Sequence, residues 1–207
     1  MVTTPEVIAH FAVRELVPIE VEEVANELAT RGVKDEIYVW EVKVDSRHLR
    51  GKLVHWEPWD YPEGPGDAAA QVCIADIYVS EELDVNWRRL VVCKELLHVI
   101  DPEICRVADN ADVKRLIERI ILPSDLQDPM EDGHKVWTDR FATYKALAVL
   151  FPWATRDLLL PKFKEGKLSI ADIAQLVGLP NRYVTMVMSE IWAEAYPFLI
   201  AEIEEEA

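Results

Sequence analysis

Cysteine is scarce in this chain of 207 residues. Its three cysteines are Cys73, Cys93 and Cys105, each among apolar neighbours and none with a second cysteine close enough to form a metal-binding pair. The pattern therefore excludes a disulfide framework and the common zinc-binding cysteine pairs. It favours a reducing compartment, the cytoplasm.

Long apolar runs are missing as well. No run of about 18 apolar residues, the length that would cross a bilayer, occurs anywhere in the chain. Residues 1–10 contain no basic segment followed by an apolar run, as a secretion signal would. We therefore predict no membrane association and a cytoplasmic location. Hydrophobic residues make up 50% of the chain, enough to bury a core without cross-links.

Basic residues are outnumbered by acidic ones. The chain has 22 lysines and arginines against 38 aspartates and glutamates, a net charge of -16. Because phosphate contacts need a basic surface, this charge opposes direct binding of DNA. Most acidic surfaces serve solubility alone, although such a surface can also meet a basic partner or imitate nucleic acid.

Residues 91–101 form the stretch around which the chain is organised. They read as a helix that is apolar nearly all round, so we expect it to be buried. Its ionisable residues share one side, because Lys94, His98 and Asp101 recur at i, i+4 and i+7 and Glu95 lies beside His98. Unpaired buried charges cost several kcal/mol. The stripe therefore predicts a functional site, an internal ion-pair network, or both.

Helical spacing of apolar residues recurs along the chain. It predicts helix from residue 5 to residue 30, with Leu16 among the inward positions and a break at Pro18. Three later helices are predicted by the same spacing, over residues 111–122, 136–151 and 153–163. A polar loop is expected between the first two of these.

Three segments read as strands because they are rich in β-branched and aromatic residues, residues 36–44, 51–56 and 71–79. The prolines and glycines of residues 57–67 predict a loop. Together these elements predict an α+β fold with a small three-stranded sheet. They divide the chain into an N-terminal helical section, a core and a helical C-terminal section, at residues 1–35, 36–152 and 153–207.

Residues 168–184 read as a helix, a tight turn at Gly178 and a second helix. Such hairpins occur in DNA-binding proteins, where the second helix enters a groove. Residues 181–189 contain one basic residue, Arg182, whereas groove binding usually needs several. The hairpin is therefore interpreted as an element for packing or for recognising a protein.

The order Glu95-x-x-His98 has a chemical meaning. In zinc peptidases, His-Glu-x-x-His places two imidazoles on one helix face to hold the metal, and the glutamate is the general base for the metal-bound water. Here Lys94 stands at the first ligand position, and its ammonium group has no lone pair at neutral pH. Taken alone, the pattern also suits a helix whose polar face pairs with its neighbours.

Several segments within residues 72–186 together resemble the ImmA/IrrE family of zincin-like metallopeptidases, the phage-repressor-cleaving and stress-response proteins. The segments are a strand, an arginine-containing stretch that leads into Lys94-Glu95-Leu96-Leu97-His98, and Asp139-Arg-Phe-Ala142 running on to a leucine-rich helix and Pro152. The resemblance implies a zincin-like helical core, Glu95 as general base, and His98 and Asp139 as metal ligands.

Two departures from the family pattern bear on the activity. Of the three ligand positions only His98 keeps its residue type, since Lys94 and Asp139 replace a histidine and a glutamate. Zinc held by one histidine and one aspartate would be weakly bound, with a lysine cation beside it. The ammonium of Lys94 could instead replace the metal by pairing with Asp139 and Asp101.

Three functions are therefore open. The first is a pseudopeptidase that needs no cofactor and binds a protein partner, such as a repressor or toxin-system component, in bacterial or phage regulation. The second is an active zinc endopeptidase with a rearranged site, in which His134 joins His98 and Asp139, Glu95 is the base, and His55 is a further spare imidazole. The third is an acidic phage or mobile-element inhibitor that blocks a nucleic-acid-binding system.

Overall fold

A computed structural model describes residues 2–47, 49–57, 72–101 and 133–201, except for the side chains of residues 133–140. Within these residues the fold is α+β, as predicted, with eight helices and a sheet of three strands. The helix predicted over residues 111–122, the polar loop after it and most of the loop predicted over residues 57–67 lie outside the described residues.

Two short helices precede the sheet, α1 (Thr4–Ala12) and α2 (Val21–Thr30). Side chains of Thr3 and Glu6 form a capping box that starts α1. The predicted break at Pro18 is confirmed, but it is wider than expected because α1 already ends at Ala12. Placing Leu16 among the inward positions was wrong, since it is 80% exposed and Ile19 fills the core instead. Proline lacks a backbone donor and disfavours helix in the residue before it, so the chain reaches α2 in an extended form.

The sheet contains β1 (Glu36–Val42), β2 (Gly51–Trp56) and β3 (Ile74–Ser80) in the order β1-β3-β2. Strand β1 runs parallel to the central strand β3, and β2 runs antiparallel to it. Alternate residues of a strand point to opposite faces, and Ala75, Ile77 and Val79 of β3 are all buried. The sheet thus has an inner face against the helices and an outer face that carries Asp76 and Tyr78.

Helix α3 (Val85–His98) is the predicted central helix, and it is buried along most of its length. The carboxylate of Asp84 caps its start by accepting a hydrogen bond from the backbone N–H of Trp87 at 2.9 Å. The helix packs on the inner face of the sheet and against α2. It ends at His98, so the expectation that Asp101 belongs to the helix was wrong: Asp101 follows a turn.

Five helices complete the described chain, α4 (Gly133–Leu150), α5 (Trp153–Lys164), α6 (Ile170–Val177), α7 (Asn181–Val187) and α8 (Glu190–Ile200). The predicted hairpin is present, with Gly178 in the left-handed conformation (φ 61°) between α6 and α7. Helix α4 packs against both α3 and α1, and one hydrophobic core contains residues from α1, the sheet, α3 and the C-terminal helices. No helix in the described part of the chain combines the length and apolarity needed to cross a bilayer.

Two buried arginines tie the C-terminal helices to the rest of the core. Arg89 of α3 donates hydrogen bonds to the carbonyl groups of Ile19, Val177 and Gly178. Arg156 of α5 donates in the same way to carbonyl groups at the end of α7. Burial lowers the pKa of both guanidinium groups from its ordinary value. Each arginine thereby satisfies carbonyls that the ends of helices would otherwise leave unpaired.

Candidate functional site

The polar stripe of α3 brings together the two residues at its centre. The ammonium nitrogen of Lys94 lies 3.0 Å from Oε1 of Glu95, and the two side chains are 15% and 5% exposed. Within the described residues Oε1 has no hydrogen-bond partner of good geometry, so the contact is an ion pair rather than a directed hydrogen bond. The carboxylate that the motif assigns as general base is therefore held next to a cation.

Strand β2 closes one side of this carboxylate. A Cβ atom at Gly51 would lie 2.3 Å from Cγ1 of Val91 and 3.1 Å from Oε1 of Glu95. Only glycine allows the strand to pass so close to α3. Sequence reasoning missed this constraint, because a glycine that opens a strand reads like an ordinary turn residue.

The lower part of the stripe forms a second group of charges. Nδ1 of His98 lies 2.6 Å from Oδ2 of Asp101, and both residues are buried. The other oxygen of Asp101, Oδ1, is 3.9 Å from the ammonium nitrogen of Lys145 on α4. The structure thus brings into contact two residues that the sequence placed on one helix face, His98 and Asp101, although through a turn after α3. Sequence reasoning missed Lys145, which no motif singled out.

The remaining predicted site residues lie on α4. His134 and Asp139 are both within this helix, but their side chains fall outside the described part. The pairing of Lys94 with Asp139 and the rearranged site of His98, His134 and Asp139 therefore stay predictions. Among the described contacts of Lys94 is the one with Glu95, which sequence reasoning placed beside His98 but did not pair with the lysine.

The described donors at α3 do not fit a zinc ion. Because Nδ1 of His98 is engaged with Asp101, a metal would have to use Nε2. The first ligand position holds the ammonium group of Lys94, which is a cation and offers no lone pair. Zinc requires imidazole, thiolate or carboxylate donors. Among the described side chains of α3, one imidazole and the carboxylate of Glu95 lie beside an ammonium group, which is too few donors for zinc.

A second region, here called the aromatic face, lies on the outer face of the sheet. The indole N–H groups of Trp40 and Trp56 each donate a hydrogen bond of 2.8 Å to a different oxygen of Asp76. The hydroxyl group of Tyr78 also reaches this carboxylate, and burial together with Asp76 raises the pKa of Tyr78. Tyr38 packs beside Trp40, with 6.2 Å between ring centroids. Sequence reasoning assigned these residues to strands without noticing that they share a face.

A third group, here called the sheet-end cluster, surrounds His55, one of the spare imidazoles. Its Nε2 lies 2.5 Å from Oδ1 of Asp35, and its Nδ1 lies 3.6 Å from Oε1 of Glu57. The thiol of Cys73 donates to Oε2 of Glu57 over 3.3 Å. His55 stands four positions after Gly51, roughly 13 Å along β2 at about 3.3 Å per residue. The cluster is thus separate from the α3 stripe.

No protein-family model, curated protein or solved structure matches the chain. The resemblance to the ImmA/IrrE family accordingly stays a prediction that depends on short segments within residues 72–186.

The predicted hairpin of α6 and α7 has its basic residue engaged within the chain. The guanidinium group of Arg182 lies 4.4 Å from the ring centroids of both Trp87 and Tyr183, and it donates to the hydroxyl group of Tyr183 over 2.5 Å. Arg50 stacks on Trp87 as well, at 4.2 Å. These contacts join the hairpin to α3 by cation–π interactions.

Proposed function

We propose that the protein is a regulator that binds another protein through a zincin-like scaffold from which peptidase chemistry has been lost. The contact between Lys94 and Glu95, at 3.0 Å, carries this proposal. A zinc peptidase needs a metal at this point of the helix and a carboxylate that takes a proton from the metal-bound water. In this chain the cation beside the carboxylate of Glu95 is the ammonium group of Lys94.

A second group of polar side chains on this side of α3 has partners within the protein. The carboxylate of Asp101 lies 2.6 Å from Nδ1 of His98 and 3.9 Å from the ammonium nitrogen of Lys145. Such a network lets buried polar groups find partners inside the protein. A helix that began as a catalytic element would in this way be retained as a structural one.

The aromatic face supplies a surface for a partner. Tyr38 and Trp40 are 44% and 49% exposed on the edge strand β1. Tyrosine and tryptophan are enriched where proteins bind each other, and they dominate the binding energy. With Asp76 at the centre of the face and a net charge of -16, the chain would attract a basic partner. A DNA-binding repressor or a basic toxin-system component has that charge.

The engagement of Arg182 supports protein binding over DNA binding. A groove-binding helix keeps its basic side chains directed at phosphates and bases. Here the one basic residue of α7 stacks on Trp87 and Tyr183 instead. We therefore propose that the hairpin packs against α3 or takes part in protein recognition.

The loss of peptidase chemistry is tested by elemental analysis of the protein purified without chelator, alongside His98→Ala. We expect the zinc content to be the same in both proteins, because no zinc depends on His98. Zinc that disappears in His98→Ala would overturn the proposal and favour the second candidate, a zinc endopeptidase with a rearranged site.

Partner binding is tested by cross-linking in cells of the source organism, followed by reconstitution with each purified candidate partner. We expect Trp40→Ala to weaken the binding of the true partner at least about tenfold, the usual cost of losing an aromatic anchor. Ile191→Ala, which truncates a side chain that is 73% exposed on α8, is the matched control and should change nothing. Equal effects of the two variants, or cleavage of the partner that requires His98, would contradict the proposal.

A further inference from the structure

Four side chains with metal-binding atoms meet at the end of the sheet. Asp35 immediately precedes β1, Cys73 immediately precedes β3, and His55 and Glu57 stand at the end of β2. Because β1 and β3 are parallel and β2 is antiparallel to them, all four positions fall at the same end of the sheet. The topology thus gathers a sulfur, an imidazole and two carboxylates from distant parts of the chain.

The donor atoms converge closely enough to share an ion. One atom each from Asp35, His55 and Cys73 lie within 4.8 Å of one another. Tetrahedral zinc, with bonds of about 2.0–2.3 Å, sets its donors about 3.3–3.7 Å apart. Small side-chain rotations would close this difference. The side chains of His55, Asp35 and Glu57 are 11%, 19% and 33% exposed, so the groups are held in place and an ion can still enter.

We infer that the sheet-end cluster is a zinc site, with Asp35, His55 and Cys73 as ligands and Glu57 supporting them. A thiolate with an imidazole and a carboxylate suits zinc, whereas magnesium and calcium prefer oxygen donors alone. His55 faces Asp35 with Nε2, so Nε2 binds the metal. Nδ1 then faces Oε1 of Glu57 at 3.6 Å, so a small rotation would form the outer hydrogen bond that holds a ligating imidazole in its tautomer.

Charge favours the same assignment. Two carboxylates, Asp35 and Glu57, surround one imidazole, and a third acidic group, the thiol of Cys73, lies against Glu57. When zinc binds, the S–H bond of Cys73 breaks, a zinc–sulfur bond forms, and the proton passes to the solvent. The positive charge of the ion thereby offsets the negative charges of the Asp35 and Glu57 carboxylates and of the Cys73 thiolate.

The position of the site gives it a structural role. Its three ligands belong to the segments that begin β1, end β2 and begin β3. One ion would therefore link all three strands at one end of the sheet. A ligand that binds only the folded chain raises its stability by mass action. The inference does not depend on the proposed function, because it uses none of the residues on α3.

The test uses the full chain, stripped with chelator and titrated with zinc against a chromophoric chelator. We expect one zinc per chain, release of about one proton per zinc at a pH where the thiol is protonated, and a higher melting temperature. Cys73→Ser and His55→Ala should each weaken binding at least about tenfold. His98→Ala and His10→Ala, the second an exposed imidazole beside Glu27, are the controls and should bind zinc like the wild type.

Two further measurements keep the outcome interpretable if a variant folds poorly. Cobalt in place of zinc should give a thiolate-to-metal charge-transfer absorption in the unaltered protein. Zinc should also protect Cys73 from alkylation, mapped by mass spectrometry, without changing the labelling of the other cysteines. Absence of the cobalt band, zinc that survives both Cys73→Ser and His55→Ala, or alkylation of Cys73 that ignores zinc would each overturn the inference. Zinc lost only in His98→Ala would overturn it too, and would contradict the proposed function at the same time.

Discussion

The guanidinium group of Arg89 leaves no room for a side chain at Gly178. A Cβ atom at this glycine would lie 2.1 Å from Nη1 of Arg89, which donates hydrogen bonds of 2.8 Å and 2.9 Å to the carbonyl groups of Val177 and Gly178. The turn between α6 and α7 thus packs directly against the guanidinium group of Arg89, a residue of α3. Through this contact the C-terminal hairpin depends on the central helix.

We predict that Gly178→Ala lowers the free energy of unfolding more than Gly166→Ala does. Both glycines have positive φ, 61° and 72°, so each alanine costs about 1–2 kcal/mol of backbone strain. Only Gly178 adds a collision, worth about a further 1–3 kcal/mol, because nothing lies within 4 Å of a Cβ at Gly166. Urea denaturation of the two variants measures the difference. Equal losses would show that Arg89 moves aside without cost.

We predict that Lys94 and Glu95 are energetically coupled. Lys94→Met should destabilise the protein by roughly 3–5 kcal/mol, since it leaves a buried carboxylate without its cation. Adding Glu95→Gln to Lys94→Met should restore much of the loss, because the amide carries no charge. A double-mutant cycle by chemical denaturation measures the coupling, which we expect to exceed about 1 kcal/mol. Additive losses would show that the two charges act independently.

A third prediction tests the resemblance to zincin-like peptidases. Lys94→His restores the sequence His-Glu-x-x-His on α3 and removes the ammonium group. If the scaffold is zincin-like, this variant should gain zinc binding that the wild type lacks at α3, and the gain should vanish when His98→Ala is added. Isothermal titration in a Cys73→Ser background keeps the sheet-end cluster from contributing. A variant that binds no additional zinc would count against the zincin-like core.

The stability of the protein should fall above pH 9. Burial raises the pKa of Cys93 from its usual 9.0 to about 12 and that of Tyr196 from 10.0 to about 12. At pH 7, well below both ordinary pKa values, both groups hold their protons in the folded and the unfolded chain, so their ionisation does not affect the free energy of unfolding. As the pH rises from 9 towards 12, the unfolded chain ionises first and the free energy of unfolding decreases.

Cys93→Ala separates the contribution of the thiol. Urea unfolding between pH 8 and pH 11 should give a shallower decline for this variant than for the wild type, with Tyr196 left to account for the remainder. The comparison of slopes is unaffected by the constant cost of the cavity that the alanine leaves. Identical slopes would mean that Cys93 ionises as readily in the folded chain as in the unfolded one.

Much of the fold could be predicted because it is encoded locally. The apolar periodicity of α3 and the β-branched residues of the strands identify those elements, and Gly178 identifies the turn of the hairpin. Leu16 shows the limit of such reasoning. Its spacing fits the periodicity of α1, but the helix ends before it and the side chain lies in solvent. Near a proline, the residue at which a helix ends depends on which side chain the core can bury. Here the buried side chain is that of Ile19.

The candidate site was predicted in part for the same reason. His98 and Asp101 are close in the chain, so the sequence could place them on one side of the helix, although their contact forms through a turn. The spacing rule for helix faces predicts Asp101 and Asp139 as partners of Lys94, and the Asp139 pairing stays a prediction. The rule does not predict the contact that is described, with the adjacent Glu95. Long side chains on neighbouring positions can meet when the surroundings bend them together, and here β2 passes against this part of α3.

The sequence by itself determined the class of fold, the order of its elements, the buried central helix and the acidic charge, since each depends on composition or on neighbours in the chain. Only the tertiary structure decided the contact of Asp101 with Lys145, the aromatic face around Asp76 and the sheet-end cluster of Asp35, His55 and Cys73. These groups come from separate segments, and the strand order β1-β3-β2 and the packing of α4 on α3 bring them together. No local pattern records such pairings, because they are set by which surfaces pack most favourably across the whole chain.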